Sequence, residues 1–213
     1  MKIIAHRGFW KKPEKQNTLG AFYAAIKKGF GIETDVRDYK GKLVISHDVP
    51  NDKKQILLFR DFITKISKMR QVNEVQLAIN IKSCGLGKLL HQELSHMGCL
   101  KNVFVFDMSV PDMLIYLRKK FPWKVYGRLS EYESDLTLLK EMDGLWLDQF
   151  EKNWVNDSKL RELFKFNKEL CIVSPELHGR PHAAAWNEYL PHSKNNLAIC
   201  TDLVEEANIF FNK

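Results

Sequence analysis

Short apolar runs alternate with amphipathic segments along the whole chain, and this alternation constrains the fold more than any other feature of the sequence. The apolar runs lack strict alternation of apolar and polar residues, which is typical of strands buried on both faces of a parallel sheet. We predict nine strands: Lys2–Ala5, Ile32–Val36, Leu43–Ser46, Gln76–Lys82, Asn102–Phe106, Trp123–Gly127, Gly144–Leu147, Leu170–Val173 and Leu197–Cys200.

Amphipathic segments between the strands predict helices. The first has both boundary signals, with Thr18 as its N-cap and Gly29 as its stop. The β-α-β order indicates an α/β protein with a parallel sheet. The predicted helices are Leu19–Lys28, Leu58–Met69, Leu86–Met97, Val110–Lys120, Asp135–Glu141, Asp157–Lys168, Ala183–Leu190 and Leu203–Phe211.

One connection is too short for this pattern. Only about six residues separate the strand ending at Val36 from the one starting at Leu43, whereas a parallel crossover needs about a dozen or more. This pair therefore predicts a hairpin or a loop excursion. The eight remaining strands, each followed by a helix, predict a compact (β/α)8 TIM barrel with a hairpin inserted after the second strand. A doubly wound open sheet is the alternative.

Composition narrows the class of protein. The 213 residues suit a single domain, residues 1–213, without a Pro/Gly/Ser-rich linker. A net charge of +7 favours anionic ligands, but the basic residues are scattered and no nucleic-acid-binding motif is present, so we expect no nucleic-acid partner. No apolar run approaches the roughly 20 residues of a membrane span, so we expect no stable membrane insertion.

The cysteines and the N-terminus favour a cytoplasmic protein. The N-terminal apolar stretch is too short for a signal peptide. The four cysteines form no C-x-x-C pair, and we expect reduced thiols, partly buried in the core. They are Cys84, Cys99, Cys171 and Cys200. The sequence leaves the oligomeric state open.

Polar residues follow the predicted strands at the ends where a barrel of this kind carries its chemistry. Glu33 and Asp35 lie two apart and so face the same side of a strand, where two acids repel unless a cation lies between them. A divalent metal ion is the expected resident. His47 follows the hairpin and can fold back over the same end. The other strand-end residues are His6, Arg7, Asn80, Lys82, Asp107, Arg128, Asp148, Glu176 and Asp202.

These side chains suit the handling of a phosphate, because a metal and basic groups hold the anion while imidazoles move protons. We interpret Asp107, Asp148 and Asp202 as helix caps rather than ligands. His91 and His96 are five residues apart on a helix, an offset that does not suit a shared metal, and are predicted to lie on the surface.

Several motifs resemble the glycerophosphodiester phosphodiesterases, a family of the PLC-like phosphodiesterases. They are Ala5-His-Arg-Gly8, Gln16-Asn-Thr18 before a helix, Gly31-Ile-Glu-Thr-Asp-Val36, Ser46-His-Asp48, Leu77-Ala-Ile-Asn-Ile-Lys82, Val105-Phe-Asp107 and Cys200-Thr-Asp202. In combination and order they are specific, and they span essentially the whole chain. The family fold is a (β/α)8 barrel with an inserted hairpin, in agreement with the strand count.

The resemblance implies a role for each residue of the site. His6 and His47 would form the general acid–base pair, and Arg7 and Lys82 would hold the phosphate. Glu33 and Asp35 would bind a divalent metal, Ca²⁺ or Mg²⁺. In the family a neighbouring hydroxyl of the substrate is thought to attack phosphorus, which gives a cyclic phosphate that water opens.

Two positions depart from the family pattern. Gln16 stands where the family usually has Glu, and Asn80 stands where a third metal-binding Glu is usual. An amide oxygen can coordinate a hard cation but contributes no charge, so we expect weaker metal binding or a changed ligand set that includes Asn80. Glu176, at the end of the seventh barrel strand, could supply the missing carboxylate. A salt bridge from Glu176 to Arg180 or Arg128 is the alternative.

Three functions follow. The first is a metal-dependent phosphodiester hydrolase acting on a small glycerophosphodiester-like substrate. The second is a non-catalytic binder of phosphorylated glycerol or sugar units, suggested by the altered metal positions. The third is a related phosphodiesterase acting on a lipid or polysaccharide-linked phosphodiester.

Overall fold

All nine predicted strands are present, together with one short additional strand. The structure is a computed structural model of the chain and describes residues 1–51, 56–97 and 100–212. Its strands are β1 (Lys2–Ala5), β2 (Gly31–Tyr39), β3 (Lys42–Ile45), β4 (Leu57–Leu58), β5 (Leu77–Ile81), β6 (Val103–Phe106), β7 (Lys124–Leu129), β8 (Gly144–Leu147), β9 (Glu169–Val173) and β10 (Leu197–Thr201). Its α-helices are α1 (Leu19–Lys27), α2 (Phe59–Ile66), α3 (Gly87–Leu94), α4 (Val110–Lys119), α5 (Asp157–Phe164), α6 (Ala183–Tyr189) and α7 (Val204–Phe211).

The chain forms two compact units. The first consists of Met1–Ala5 with Tyr126–Lys213, and the second of His6–Val125. In the first unit β1 is parallel to β10, β10 to β9, β9 to β8 and β8 to β7. Strands β1, β8, β9 and β10 are almost entirely buried, as expected for strands covered on both faces. Whether the chain is a single domain stays a prediction.

The second unit is built around β2. This strand is parallel to β5, with Glu33 opposite Ala78 and Asp35 opposite Asn80, and β5 is parallel to β6. On its other side β2 is antiparallel to β3, which pairs in turn with β4. The predicted hairpin is therefore confirmed. Its turn residues Lys40 and Gly41 both have positive φ, the conformation that matches a two-residue turn to the strand twist.

Helix α1 begins as the sequence predicts. The Thr18 hydroxyl accepts a hydrogen bond from the backbone N–H of Ala21, and the left-handed Gly29 follows the helix. Four side chains bury one face of this helix in the core. They are Ala21, Phe22, Ala25 and Ile26.

Other predictions of local structure were confirmed only in part. No helix forms over 135–141, because the Asp135 carboxylate accepts hydrogen bonds from the N–H and hydroxyl of Thr137 and stabilises a turn there. The cysteine prediction holds for the buried Cys171 and Cys200, whereas Cys84 is exposed and Cys99 lies outside the described residues. His91 and His96 are exposed, as predicted.

Within the described part of the chain, no helix has the length and apolar character needed to cross a membrane. The lack of stable membrane insertion stays a prediction. The cytoplasmic location and the lack of a nucleic-acid partner stay predictions.

Candidate active site

The residues after β1 form a tight turn that presents Arg7. Arg7 and Gly8 have positive φ values of 55° and 88°. A Cβ atom on Gly8 would lie 2.8 Å from the Cβ of Ala21, so helix α1 leaves room only for glycine at this position. The Phe9 N–H donates to the Ala21 carbonyl at 2.9 Å and fixes the turn on the helix. The His-Arg-Gly sequence therefore determines the backbone conformation of this turn as well as the side chains that the turn presents.

The acid pair on β2 is deeply buried. Glu33 is 2% exposed and Asp35 is 1% exposed, and their alternation along the strand places both on one face. Burial is the largest cause that raises the pKa of Glu33, to about 7, and the negative charge of Asp35 is the second. The positive charges of His6, Arg7 and Lys82 act in the opposite direction. His6 therefore lies close enough to Glu33 to affect the pKa of that carboxyl.

Both predicted phosphate-binding residues contact Asp35. The Nε atom of Arg7 lies 3.1 Å from Oδ2 of Asp35, and Nζ of Lys82 lies 3.5 Å from Oδ1. Lys82 is also 3.4 Å from the Asp107 carboxylate, and Arg7 Nη1 donates to Gln16 Oε1 at 3.2 Å. A single buried carboxylate thus holds two cations in place, and both cations can bind an arriving anion.

Asn17 is a site residue to which sequence reasoning assigned no role. Its Nδ2 donates to Oδ2 of Asp35 at 2.9 Å, and its Oδ1 accepts from the Thr34 hydroxyl at 3.0 Å. Its backbone N–H donates to the Arg7 carbonyl, and its φ is 55°. Asparagine is among the few residues that tolerate this conformation. An Asn placed between a polar loop and a helix N-cap is a signal that could have identified it.

Asn80 lies opposite Asp35 on the neighbouring strand, and its side chain therefore faces the acid pair. The residue is 9% exposed, and its Oδ1 is a buried acceptor without a hydrogen-bond partner in the described structure. A buried polar atom of this kind costs free energy unless a ligand satisfies it. Glu33, Asp35 and Asn80 together offer hard oxygen donors of the type that Ca²⁺ and Mg²⁺ prefer, so the residues fit a divalent cation.

These three donors nevertheless include only two negatively charged groups. Among residues 1–51, 56–97 and 100–212, no cluster of three or more His, Cys, Asp or Glu side chains has an arrangement that could hold a metal ion. This agrees with an amide at position 80, where the family pattern has a carboxylate. The two carboxylates Glu33 and Asp35 are the charged donors in this part of the site.

His47 is placed by the hairpin. Its Nδ1 is 2.8 Å from the Asp48 carboxylate, its backbone carbonyl accepts from Arg37 Nε at 3.1 Å, and its side chain is 46% exposed. His47 and Arg7 both line one open cavity of about 760 Å³. The hairpin therefore brings His47 to the same space as the turn after β1.

Glu176 belongs to the unit that contains β7–β10, and its hydrogen bonds lie within that unit. Its carboxylate accepts from the hydroxyls of Ser174 and Thr201 and from the Asp202 N–H. Among the described residues it forms no salt bridge to Arg180, whose guanidinium donates to the Gln149 carbonyl. A role for Glu176 as a metal ligand stays a prediction.

None of the three aspartates predicted as helix caps occupies an N-cap position, and two of them have other partners. Asp107 pairs with Lys82, and Asp148 is 2.8 Å from Nε2 of His178. The residue at the N-cap position is Ser109 for α4, Asn156 for α5 and Leu203 for α7. Helices α4 and α5 begin at the predicted Val110 and Asp157, and α7 begins at Val204, so each aspartate precedes the N-cap residue instead of occupying that position.

Comparisons with known proteins find likeness in structure alone. No protein-family model and no curated protein matches the sequence. A glycerophosphodiester phosphodiesterase from Parabacteroides distasonis is similar at a TM-score of 0.74 and 18% identity, over 99% of this chain and 96% of that one. One from Agrobacterium tumefaciens has a TM-score of 0.69 and 15% identity, over 100% and 99%.

A third similar structure was solved with a ligand. It is an Oleispira antarctica phosphodiesterase in complex with its product sn-glycerol 3-phosphate, with a TM-score of 0.70 and 16% identity, over 100% of this chain and 97% of that one. At these identities the likeness shows the fold. It confirms the predicted (β/α)8 barrel.

Proposed function

We propose that the chain is a glycerophosphodiester phosphodiesterase, a phosphoric diester hydrolase that acts on a small glycerophosphodiester. The observation that carries this proposal is the grouping of His6, Arg7 and Lys82 around the buried acids Glu33 and Asp35. Basic groups, an imidazole and hard oxygen donors in one place are the parts that phosphoryl chemistry needs. The fold likeness to phosphodiesterases, one of them with bound glycerol phosphate, supports the same conclusion.

His6 and His47 carry the proton transfers in this proposal. One imidazole takes the proton from the glycerol hydroxyl next to the ester oxygen, and that hydroxyl attacks phosphorus. The bond from phosphorus to the second alcohol breaks, and the other imidazole donates a proton to the departing oxygen. The product is a cyclic phosphate, which water opens to glycerol phosphate with the two roles reversed. An imidazole suits both roles because its ordinary pKa is about 6.5.

Arg7 and Lys82 bind the phosphate oxygens. Their contacts to Asp35 pre-position both cations, so little side-chain ordering is required when the anion arrives. Asn17 and Gln16 orient Asp35 and Arg7 through the hydrogen bonds described above. A bound phosphate therefore contacts the same two cations, Arg7 and Lys82, that the Asp35 carboxylate already contacts.

The metal ligands in this proposal are Glu33, Asp35 and the amide oxygen of Asn80. A Ca²⁺ or Mg²⁺ ion bound there would supply positive charge that stabilises the negative charge growing on the phosphoryl oxygens. The support is the orphaned Oδ1 of Asn80 and the buried position of the two acids. With one carboxylate fewer than the family pattern, we expect weak binding that needs a high free concentration of the cation.

A non-catalytic binder of phosphorylated glycerol is the second candidate. It is favoured by one observation, the neutral amides of Gln16 and Asn80 at positions where the family carries charge. Such a binder would retain Arg7, Lys82 and the anion site but would release no product.

Hydrolysis of a panel of glycerophosphodiesters separates the two candidates. Purified protein is incubated with each diester in Ca²⁺, in Mg²⁺ or in excess chelator, and glycerol phosphate and cyclic phosphate are measured. The proposal predicts release that depends on the cation. Binding of glycerol phosphate without any release, under every cation, would favour the binder instead.

A further inference from the structure

The cavity beside Arg7 and His47 is larger than the reacting group requires. It measures about 760 Å³ and lies within the unit His6–Val125. Glycerol phosphate has ten non-hydrogen atoms, which occupy roughly 300 Å³ if each takes about the volume of one water. More than half of the cavity is left over, enough for roughly fifteen further atoms. A second ester group of substantial size therefore fits next to the phosphate.

The lining of the cavity includes charged side chains of both signs. Asp61 and Lys65 stand one turn apart on α2, while Phe62, Ile63 and Ile66 bury the opposite face of that helix. Neither Asp61 nor Lys65 has a hydrogen-bond or ion-pair partner among the described residues. Glu14, which also lines the cavity, likewise has none there.

This lining does not suit a quaternary ammonium group or an acyl chain. Quaternary ammonium groups are recognised by aromatic faces, and the described lining includes no Phe, Tyr or Trp, with His47 as its one aromatic ring. An acyl chain needs a continuous apolar surface, whereas here charged and amide side chains are interspersed with apolar ones such as Ile45 and Val49.

We infer that this cavity receives a polyhydroxylated alcohol, a sugar or cyclitol ring, as the second ester group of the diester. Hydroxyl groups can donate to the carboxylates of Asp61 and Glu14 and accept from Lys65, while the ring carbons contact the apolar patches. A ring of this class has about twelve non-hydrogen atoms, within the space that glycerol phosphate leaves. Cleavage of such a diester depends on the proposed function, whereas its binding in this cavity does not.

The test compares three diesters and three variants. Values of kcat/KM are measured for glycerophosphoinositol, glycerophosphocholine and lysophosphatidylcholine with the wild type and with Lys65→Met and Asp61→Asn. Lys68→Met is the matched control, because Lys68 is exposed close to Lys65 and does not line the cavity. We expect glycerophosphoinositol to be preferred about tenfold or more over the other two. Each cavity variant should lower its kcat/KM about three- to tenfold through KM and leave glycerophosphocholine within about twofold.

Several outcomes would overturn the inference. They are equal kcat/KM values for the three diesters, a preference for the lysolipid or the choline ester, and equal losses for all substrates in Lys65→Met. If no diester is cleaved, the proposed function fails while the inference is still decided by calorimetry. Binding of glycerophosphoinositol that is tighter than that of glycerophosphocholine and is weakened by Lys65→Met supports it, and equal binding of the two diesters contradicts it.

Discussion

At the scale of single residues, the site is a balance of charge around two buried acids. Asp35 is compensated directly by Arg7 and Lys82 at 3.1 Å and 3.5 Å. Glu33 accepts a hydrogen bond from the backbone N–H of Arg7 at 3.1 Å, and among the described residues it forms no ion pair, although the charges of His6, Arg7 and Lys82 act to lower its pKa. This difference explains why the pKa of Glu33 is raised so far by its burial and by the charge of Asp35.

The raised pKa of Glu33 makes stability depend on pH. Between its unfolded value of 4.5 and about 7, the folded protein binds a proton that the unfolded chain has released, so stability falls as pH rises through this window. We expect Glu33→Gln to remove that loss and to stabilise the metal-free protein above pH 7 by up to about 3 kcal/mol. Urea unfolding of both proteins in excess chelator at pH 5 and pH 8 measures the effect. A wild type that gains stability over this range relative to Glu33→Gln would contradict the account.

Asn80 sets the charge of the proposed metal site. We expect Asn80→Asp to lower the Tm of the protein in chelator, because a third carboxylate then lies beside Asp35. The same variant should gain more Tm from Ca²⁺ or Mg²⁺ than the wild type, with a half-saturating concentration lower by about tenfold. Asn80→Ala is the control, and it should lose the response to the cation. Identical cation responses in all three proteins would remove Asn80 from the ligand set.

The residues that the sequence alone could identify are those whose geometry is local. Glu33 and Asp35 share a face because strand alternation is fixed, and His6 and Arg7 follow a strand that was bounded correctly. Asn17 and the Lys82–Asp107 pair were missed or misassigned, because their contacts depend on left-handed loop residues. Such φ values are weakly encoded in any single residue type other than glycine.

At the scale of elements, two turns carry the two imidazoles. The turn after β1 carries His6 and Arg7, and the β2–β3 hairpin leads to His47. The hairpin could be inferred from a connection too short for a crossover. The helix predicted over 135–141 is absent, because the Asp135 side chain accepts a hydrogen bond from the backbone and stabilises a turn there. A side-chain contact of this kind cannot be inferred from the pattern of apolar residues.

Gly8 and Gly29 form a matched pair that tests the turn after β1. Both have positive φ, but only at Gly8 would a Cβ meet another residue, at 2.8 Å from Ala21, while nothing lies within 4 Å at Gly29. We expect Gly29→Ala to lower the free energy of unfolding by about 1 kcal/mol from backbone strain alone. Gly8→Ala should cost about 3 kcal/mol, since overpacking is added to the strain. Urea midpoints measure both values, and equal losses would show that α1 yields to the added methyl.

At the scale of the whole molecule, the fold is preserved at an identity that leaves most side chains changed. Structures with 15–18% identity match over nearly the full chain. The pattern of buried strands and amphipathic helices was sufficient to predict this fold. Function lies in a few side chains placed on it, and a shared fold leaves their chemistry open. The altered amides at Gln16 and Asn80 therefore decide more about activity than the overall likeness does.

The most direct test of the central claim is phosphorus NMR of a glycerophosphodiester during incubation with the wild type, His6→Ala and His47→Ala in Ca²⁺ or Mg²⁺. His91→Ala, which removes an exposed imidazole outside the site, is the matched control. The account predicts that the wild type and His91→Ala convert the diester to cyclic phosphate or glycerol phosphate. Removal of either site imidazole should slow this conversion about 100-fold or more. Conversion at an unchanged rate in His6→Ala, or no conversion by the wild type with any diester and either cation, would contradict it.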